Sequence, residues 1–382
     1  MSLIIIVFIS TILLCCFSYF LYPLIIFIYG FFFKLVVEKG DIKNKISIII
    51  SAYNEEINIE KKILNTLDLD YPKGQIEILI GSDGSTDNTG DIANKYIDLG
   101  VKFFHFNINR GKTAVQNDLV KNSTGEILVF TDAASYLPQN ALKCLLSNFA
   151  DERIGCVAGK MQFVDTDINL TTQSQGLYWR YEVAIREMES NLGSLIGVDG
   201  PLYAVRRKNY IELEHNIISD LITPLLVLEQ GKKVILEPEA IVKEDPTIKT
   251  GDEFRTRRRI TLRGLIGVFS HKNILNPFKH PVLSIQIVLH KLLRWFVGPL
   301  VLLNGLASII LAFKYMFFKV YMMVYLLFFI LAGLGWLTEK LNIKIRILAI
   351  PYYFTLVNLA ATMGIVDFFK KKQAVSWTPV RH

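Results

Sequence analysis

The sequence predicts an α/β fold of the doubly wound, Rossmann-like class, flanked by transmembrane α-helices. Between residues 46 and about 250, short apolar runs alternate with amphipathic stretches, which is the pattern of βαβ units. Outside this region the apolar residues collect at the two ends of the 382-residue chain, 51% of which is hydrophobic. We therefore expect a globular domain over residues 46–250 with membrane segments on either side.

Residues 1–33 are predicted to form an uncleaved transmembrane anchor. They are almost uninterruptedly apolar and exceed the roughly 20 residues that a bilayer requires. A cleaved signal peptide would need a positive start, a shorter apolar core and a small-residue cleavage site, which this segment lacks. Basic residues follow the segment and none precedes it, so the positive-inside bias places the globular domain in the cytoplasm. These basic residues are Lys34, Lys39, Lys43 and Lys45.

Within the globular domain the apolar runs are predicted to be strands, and the polar-capped stretches between them to be helices. Helices are expected after Asn54, after Asp87 and over 219–229. The predicted strands are Ile46 to Ser51, Ile76 to Ile80, Val101 to Phe106, Ile127 to Asp132, 156–164 and 234–240.

Two of the predicted strands lead into acidic side chains. Asp83 and Asp87 follow the second strand, and Asp132 ends the fourth. Ligands of open α/β sheets bind outside the carboxyl ends of the strands, so these carboxylates are expected at the binding edge. A helix cap is an equally good explanation for Asp87, and a weaker one for Asp83 and Asp132.

A cytoplasmic domain beside membrane helices suits a nucleotide-activated donor, whose diphosphate must be neutralised as its bond breaks. Mg²⁺ or Mn²⁺ could do this as a Lewis acid, and Asp132 is the candidate ligand because hard cations prefer oxygen. Arg110 and Lys112 are candidates for holding phosphate oxygens, with a solvated loop as the alternative. Asp220 is either the base for an acceptor hydroxyl or a partner of the helix dipole, and spacing does not decide between these.

The C-terminal part is predicted to contain interfacial helices over 251–294, transmembrane helices over 295–369 and a basic tail over 370–382. If all three apolar segments span the bilayer, the tail lies opposite the globular domain, against the positive-inside bias. Either one segment does not span or the tail is exported. The apolar segments are Trp295 to Phe313, Val320 to Leu337 and Ile347 to Val366, and the interfacial arginines are Arg255, Arg257, Arg258, Arg259 and Arg263.

The formal charge of +7 favours anionic membrane lipids over nucleic acid as a partner, because the basic residues cluster beside hydrophobic segments. The four cysteines have no metal-ligand spacing and indicate no disulfide framework.

Four motifs together resemble the family 2 glycosyltransferases of GT-A fold, in the membrane-integrated branch of poly-N-acetylglucosamine, hyaluronan, chitin and cellulose synthases. The segment 48–56 resembles the opening strand that holds the nucleotide, which implies binding roles for Ala52, Asn54 and Glu55. The loop 82–89 resembles the nucleoside-binding loop and places Asp83 at the base. The third motif, 109–112, is similar to the diphosphate loop and contains Arg110 and Lys112. The fourth motif, 131–135, is similar to the metal motif and contains Asp132.

This resemblance implies an inverting hexosyl- or N-acetylhexosaminyltransferase of cell-surface polysaccharide synthesis, multi-pass in the cell membrane with a cytoplasmic catalytic domain. The donor would be a nucleotide-diphosphate sugar, specifically a UDP-sugar, and the acceptor a saccharide or lipid-linked saccharide. Asp220 falls on the position of the catalytic base, and 200–206 resembles the segment beside the acceptor channel. Trp377, Thr378 and Arg381 resemble a tail motif of some synthases.

The chain departs from the family pattern at two places. Ala134 stands where the metal motif has its second Asp. The Gln-x-x-Arg-Trp motif of processive synthases is replaced over 256–260, where Arg259 alone remains on the acceptor side. The missing carboxylate motivates an alternative, a catalytically inactive sugar-nucleotide-binding subunit of a polysaccharide assembly complex.

Overall fold

The fold was analysed in a computed structural model, which describes residues 2–164 and 167–372. In these described residues, seven strands form one mixed sheet in the spatial order third, second, first, fourth, sixth, fifth and seventh. The strands are β1 (Ile46–Ala52), β2 (Ile76–Asp83), β3 (Val101–Phe106), β4 (Ile127–Asp132), β5 (Ile154–Phe163), β6 (Leu202–Arg206) and β7 (Lys233–Glu244).

Helices cover the sheet, and further helices form the apolar segments at both ends of the chain. Around the sheet lie α3 (Ile59–Leu67), α4 (Thr89–Asn94), α5 (Lys112–Lys121), α6 (Ala141–Ser147), α7 (Leu170–Asn191), α8 (Ser219–Glu229) and α9 (Thr250–Ser270). The apolar segments contain α1 (Ser2–Cys16), α2 (Tyr22–Phe32), α10 (Pro281–Gln286), α11 (Leu293–Ala312), α12 (Met316–Lys340) and α13 (Ala349–Phe369), with π-helical turns joining α1 to α2 and α10 to α11.

The centre of the sheet is parallel and buried on both faces. β1 pairs in parallel with β2 on one side and with β4 on the other. Its side chains alternate between two cores, with Ile48 and Ile50 on one face and Ile49 on the other. A continuous isoleucine run therefore forms the central strand, as expected where helices cover both faces.

The doubly wound α/β prediction is confirmed, and the six predicted strands are all present. β6, which pairs antiparallel with both β4 and β5, was not predicted from the sequence. Its five residues follow Gly200-Pro201 and give only a short apolar run. The antiparallel insertion places the segment before β6 next to the carboxyl end of β4.

Within the part of the chain that the structure describes, four helical segments are long and apolar enough to cross a membrane: 2–32, 281–312, 316–340 and 346–369. They coincide with the predicted anchor and the three predicted C-terminal spans, although the second begins at Pro281, earlier than expected. Buried Asn304 of α11 donates to the Phe8 carbonyl at 3.2 Å and to Thr11 Oγ1 at 3.0 Å, which ties α11 to α1. Trp377, Thr378 and Arg381 lie outside the described residues.

Three arginines of α9 contact protein groups, whereas Arg255 is exposed, and the interfacial position of this helix stays a prediction. Arg257 Nε bonds Glu253 Oε1 at 2.7 Å, and Arg258 Nε pairs with Asp367 Oδ2 of α13 at 2.5 Å. Arg263 donates to the Ile217 carbonyl, just before α8, at 2.5 Å. The helix therefore connects the sheet domain to the apolar helices, and its arginines satisfy buried acceptors.

Candidate functional site

A cavity of about 670 Å³ extends from the carboxyl ends of the central strands to the apolar helices. At the strand end its walls include Asn54, Glu55 and Asp132. At the opposite end they include Tyr19 of the N-terminal segment and Asn358 of α13. The cavity therefore connects the binding edge of the sheet with the candidate membrane helices.

Three charged side chains converge beside Gly200. A Cβ atom at Gly200 would lie 3.0 Å from Lys112 Nζ, 3.3 Å from Asp220 Oδ2 and 3.4 Å from Asp132 Oδ2. Lys112 forms an ion pair with Asp132. Residues from α5, β4 and α8 thus meet at one point, and the absence of a side chain at position 200 leaves the space between them open.

Lys112 is positioned by the turn that precedes α5. Gly111 adopts φ of 90°, a conformation that favours glycine. Asp83 fixes this turn, because its two carboxylate oxygens accept the Arg110 and Gly111 backbone N–H groups, each at 2.8 Å. Asp83 is fully buried, and burial raises its pKa despite these hydrogen bonds. The predicted nucleoside-binding residue therefore shapes the loop that carries Lys112.

The segment after β1 forms a second fixed loop at the cavity. Asn54 has φ of 54°, which asparagine tolerates better than most residues, and its Oδ1 accepts the Thr86 N–H at 2.8 Å. The Glu55 N–H donates to Thr89 Oγ1 at 2.8 Å. Ala52 is fully buried behind this loop at the end of β1. The β1 and β2 loops are thereby held together.

Asp87 is a structural residue at the N-terminus of α4. Its Oδ1 accepts the Thr89 N–H at 3.0 Å, and its Oδ2 accepts the Glu56 N–H at 3.2 Å. These contacts are those of a turn that precedes the N-cap residue Asn88, and Asp87 also lines the cavity.

Asp220 lies in the first turn of α8 and lines the cavity. Its carboxylate forms no hydrogen bond or ion pair with the residues that the structure describes, whereas its carbonyl accepts the Val198 N–H at 2.9 Å. Burial raises the pKa of Asp220, Lys112 opposes this shift, and Asp132 adds to it. Asp220 thus presents a carboxylate of increased basicity to the cavity.

Two predicted basic residues occupy different positions. Arg259 of α9 lines the cavity, and burial lowers its pKa while Asp220 and Asp132 oppose that shift. Arg110 Nη2 instead bonds Asp118 Oδ2 at 2.7 Å, and its guanidinium lies 4.4 Å from the Phe106 ring centroid. The structure therefore brings Arg259 and Lys112 toward Asp132, but directs Arg110 away.

Two titratable residues near Asp132 were not identified from the sequence. Lys62 of α3 is buried and donates to Thr131 Oγ1 at 2.7 Å and to the Ser135 carbonyl at 3.0 Å. Burial lowers the pKa of Lys62 to about 7. Glu244 ends β7 and lines the cavity, and burial followed by repulsion from Asp132 raises its pKa to about 8. An acid at the end of a strand is the pattern that would have indicated Glu244. The sequence predicts that this strand ends near residue 240, so Glu244 falls outside it.

The end of the cavity near the apolar helices is aromatic and cationic. Tyr178 of α7 and Trp295 of α11 line it together with Arg257, Lys291 and Arg294. Lys291 Nζ donates to Glu182 Oε1 at 3.1 Å, and Arg294 pairs with the same carboxylate. This end can contact both sugar rings and polar groups of an acceptor.

Comparison with known proteins identifies the sheet domain. Residues 47–213 match the family described as glycosyl transferase family 2. The beta-monoglucosyldiacylglycerol synthase of Nostoc sp. is 28% identical over 167 residues, covering 43% of this chain and 36% of that protein. The poly-beta-1,6-N-acetyl-D-glucosamine synthase of Staphylococcus epidermidis is 30% identical over 142 residues, covering 35% and 34%. The chain thus matches only about a third of the length of these relatives.

One solved structure is similar over nearly the whole chain. It is a mannosyltransferase from Pyrobaculum calidifontis in complex with GDP-Man and Mn²⁺, with a TM-score of 0.70 and 20% identity. The match covers 96% of this chain and 100% of that one, so the two share a fold that includes the C-terminal helices. Residues 47–213 are thus similar to glycosyl transferase family 2, and they lie in a sheet domain of GT-A fold.

Proposed function

We propose that this chain is an inverting glycosyltransferase that moves a sugar from a nucleotide-diphosphate donor, a UDP-sugar, to a saccharide or lipid-linked acceptor at the membrane. The observation that carries this proposal is the convergence of Lys112, Asp132 and Asp220 around Gly200 in the cavity. These groups supply a base, a metal ligand and a cation within a few ångströms of one another. Their position between the strand ends and the apolar helices suits a soluble donor and a membrane-associated acceptor.

Asp220 is the base in this mechanism. Its carboxylate accepts the proton of the acceptor hydroxyl as the hydroxyl oxygen forms a bond to the anomeric carbon of the donor. The bond from that carbon to the diphosphate oxygen breaks on the opposite face, and the diphosphate leaves with the electron pair. Attack from the face opposite the leaving group inverts the anomeric configuration. The raised pKa of Asp220 increases its ability to take the proton.

Lys112 neutralises part of the charge on the leaving diphosphate, and Asp132 would hold a divalent cation that supplies further positive charge. A divalent cation fits this position chemically, since carboxylate oxygen is its preferred ligand and a lysine ammonium already pairs with Asp132 there. Among the described residues no three acidic, histidine or cysteine side chains are grouped to hold a metal ion. This agrees with Mg²⁺-type sites in which one or two carboxylates bind the ion and substrate phosphates and water complete its shell. When bound, the cation would stabilise the charge that develops on the diphosphate.

The donor nucleotide would lie along the loops after β1 and β2. We assign Ala52, Asn54 and Glu55 to its binding, with Asp83 shaping the adjoining loop. Asp83 retains unused lone pairs after its two backbone hydrogen bonds, because a carboxylate offers about four acceptor positions. A contact from Asp83 to the base would require a small movement, since this side chain is fully buried.

The acceptor would approach from the end of the cavity near the apolar helices, with Arg259 beside the reacting hydroxyl. The named products of the relatives include both a glycolipid and a polysaccharide. Both acceptor classes are compatible with a cavity that reaches Trp295 and Asn358. We further propose that the four apolar segments make this a multi-pass membrane protein with its catalytic domain in the cytoplasm.

Asp220→Asn tests the proposal directly. The variant should bind donor normally and lose turnover by about 10²- to 10⁴-fold, the usual contribution of a general base. Asp91→Asn, which alters a first-turn aspartate of α4, is the matched control and should retain parental turnover. Parental turnover in a folded Asp220→Asn protein would contradict the proposal. Donor binding without turnover by the parent under any divalent ion would instead support the non-catalytic binding subunit.

A further inference from the structure

Position 134, where alanine replaces the second acid of the metal motif, lies close to the end of another strand. Tyr136 and Lys243 form an antiparallel bridge, with N–H···O distances of 3.2 and 3.1 Å in the two directions. Continuing this register brings the residue after Lys243 opposite Ser135. The end of β7 therefore lies beside the loop in which Ala134 replaces an acid.

Glu244 is the acid at that position, and its side chain belongs to the cavity. It lines the same space as Asp132 and Ala134, and its charge interacts with Asp132 and Lys112. Among the described residues its carboxylate has no hydrogen-bond or ion-pair partner, whereas its carbonyl accepts the Val164 N–H at 3.0 Å. Partial burial of a carboxylate without a hydrogen-bond or ion-pair partner costs free energy, unless a bound ligand pairs with it.

The neighbouring acid, Asp245, is less suited to this role. Asp245 also lines the cavity, but it lies beyond the end of β7 and its side chain is exposed, whereas Glu244 is half-buried. Glutamate is also one methylene longer than aspartate, which helps it reach toward Asp132 from the end of β7, where the strand is bridged to the loop after β4.

We propose that Glu244 provides the second protein carboxylate for the divalent cation, in place of the acid missing at position 134. This inference rests on the proposed function, because it requires a cation bound with the donor diphosphate. It assigns the cation to two carboxylates from different strands, Asp132 from β4 and Glu244 from β7. The total charge available to the cation is then the same as in a motif with two acids on one loop.

The test measures Mn²⁺ binding and does not depend on turnover. The parent protein is titrated with Mn²⁺ in the presence of UDP or GDP, whichever it binds, and free Mn²⁺ is followed by electron paramagnetic resonance. Glu244→Gln should weaken Mn²⁺ binding by about 10- to 100-fold or more, because loss of even an outer-shell partner costs that much. Glu239→Gln, an exposed acid on the same strand, should leave Mn²⁺ affinity unchanged.

A compensating variant separates a ligand role from a structural one. Ala134→Asp in the Glu244→Gln background returns a carboxylate to the motif and should recover most of the lost Mn²⁺ affinity. Equal Mn²⁺ affinity in parent and Glu244→Gln, with nucleotide binding intact, would overturn the inference while leaving the proposed function standing. Failure of the double variant to recover affinity would also overturn it. Absence of UDP and GDP binding by the parent would instead count against the proposed function itself.

Discussion

Gly200→Ala is the smallest change that probes the geometry of the site. The added methyl carbon would lie 3.0 Å from Lys112 Nζ and 3.3 to 3.4 Å from the nearest oxygens of Asp220 and Asp132. Ordinary contacts of this kind are about 3.5 to 4.0 Å, so the three groups would have to separate by a few tenths of an ångström. The methyl would also occupy the space that the reacting atoms need.

We expect this variant to fold normally and to lose turnover. Gly200 is not among the residues with positive φ, so alanine is compatible with its backbone, and the stability change should stay within about 1 kcal/mol. A displacement of 1 Å in an active site can cost about 10²-fold in rate, so turnover should fall by about 10- to 100-fold.

Nucleoside diphosphate release by detergent-purified protein measures the effect, with thermal unfolding as the check on folding. Gly251→Ala is the matched control, because a Cβ there meets nothing within 4 Å and its turnover should equal that of the parent. Parental turnover in Gly200→Ala would refute the assignment of the reaction to the space between Lys112, Asp132 and Asp220.

Three further predictions concern Arg259, Lys62 and the divalent cation assigned to Asp132. Arg259→Gln should raise the acceptor KM at least about tenfold and leave donor affinity unchanged, because it removes a half-buried cation that faces the acceptor. Arg255→Gln, which alters an exposed arginine, should match the parent in acceptor kinetics. The pKa of Lys62 is about 7 in the native chain and has the ordinary value of 10.5 in the unfolded chain, so the free energy of unfolding should rise between these two pH values. Lys62→Met should reduce that rise in a series of Tm measurements. Chelation by EDTA should abolish nucleoside diphosphate release and Mg²⁺ or Mn²⁺ should restore it, and turnover that persists in EDTA would exclude the metal role assigned to Asp132.

The sheet was predictable from the sequence because its strands are local signals. The isoleucine run of β1 and the run that ends at Asp132 are short, apolar and bounded by polar residues. β6 was missed since an antiparallel strand of five residues is specified by its neighbours, β4 and β5, and not by its own pattern. The protein contacts of Arg257, Arg258 and Arg263 in α9 were not predicted, because an amphipathic pattern does not reveal which protein surface covers the polar face.

The site residues that follow strand ends were predictable from the sequence. The residues that come together from distant segments of the chain were not. Asp132 and Asp220 follow from position and from the family resemblance, and both line the cavity. Glu244 lies more than 100 positions from Asp132 in the sequence, and only the pairing of β7 beside the β4 loop brings the two together. Lys62 gave no signal, since a lysine in an amphipathic helix usually faces solvent.

Turnover of sugar nucleotides tests the central claim most directly. Purified protein should be given a panel of UDP- and GDP-sugars with lipid and saccharide acceptors, in Mg²⁺, in Mn²⁺ and in chelator, and nucleoside diphosphate release measured. We predict metal-dependent release from one UDP-sugar, and its loss in Asp220→Asn. Failure to release nucleoside diphosphate from any donor, with the protein folded and acceptors present, would contradict the assignment of this chain as a glycosyltransferase.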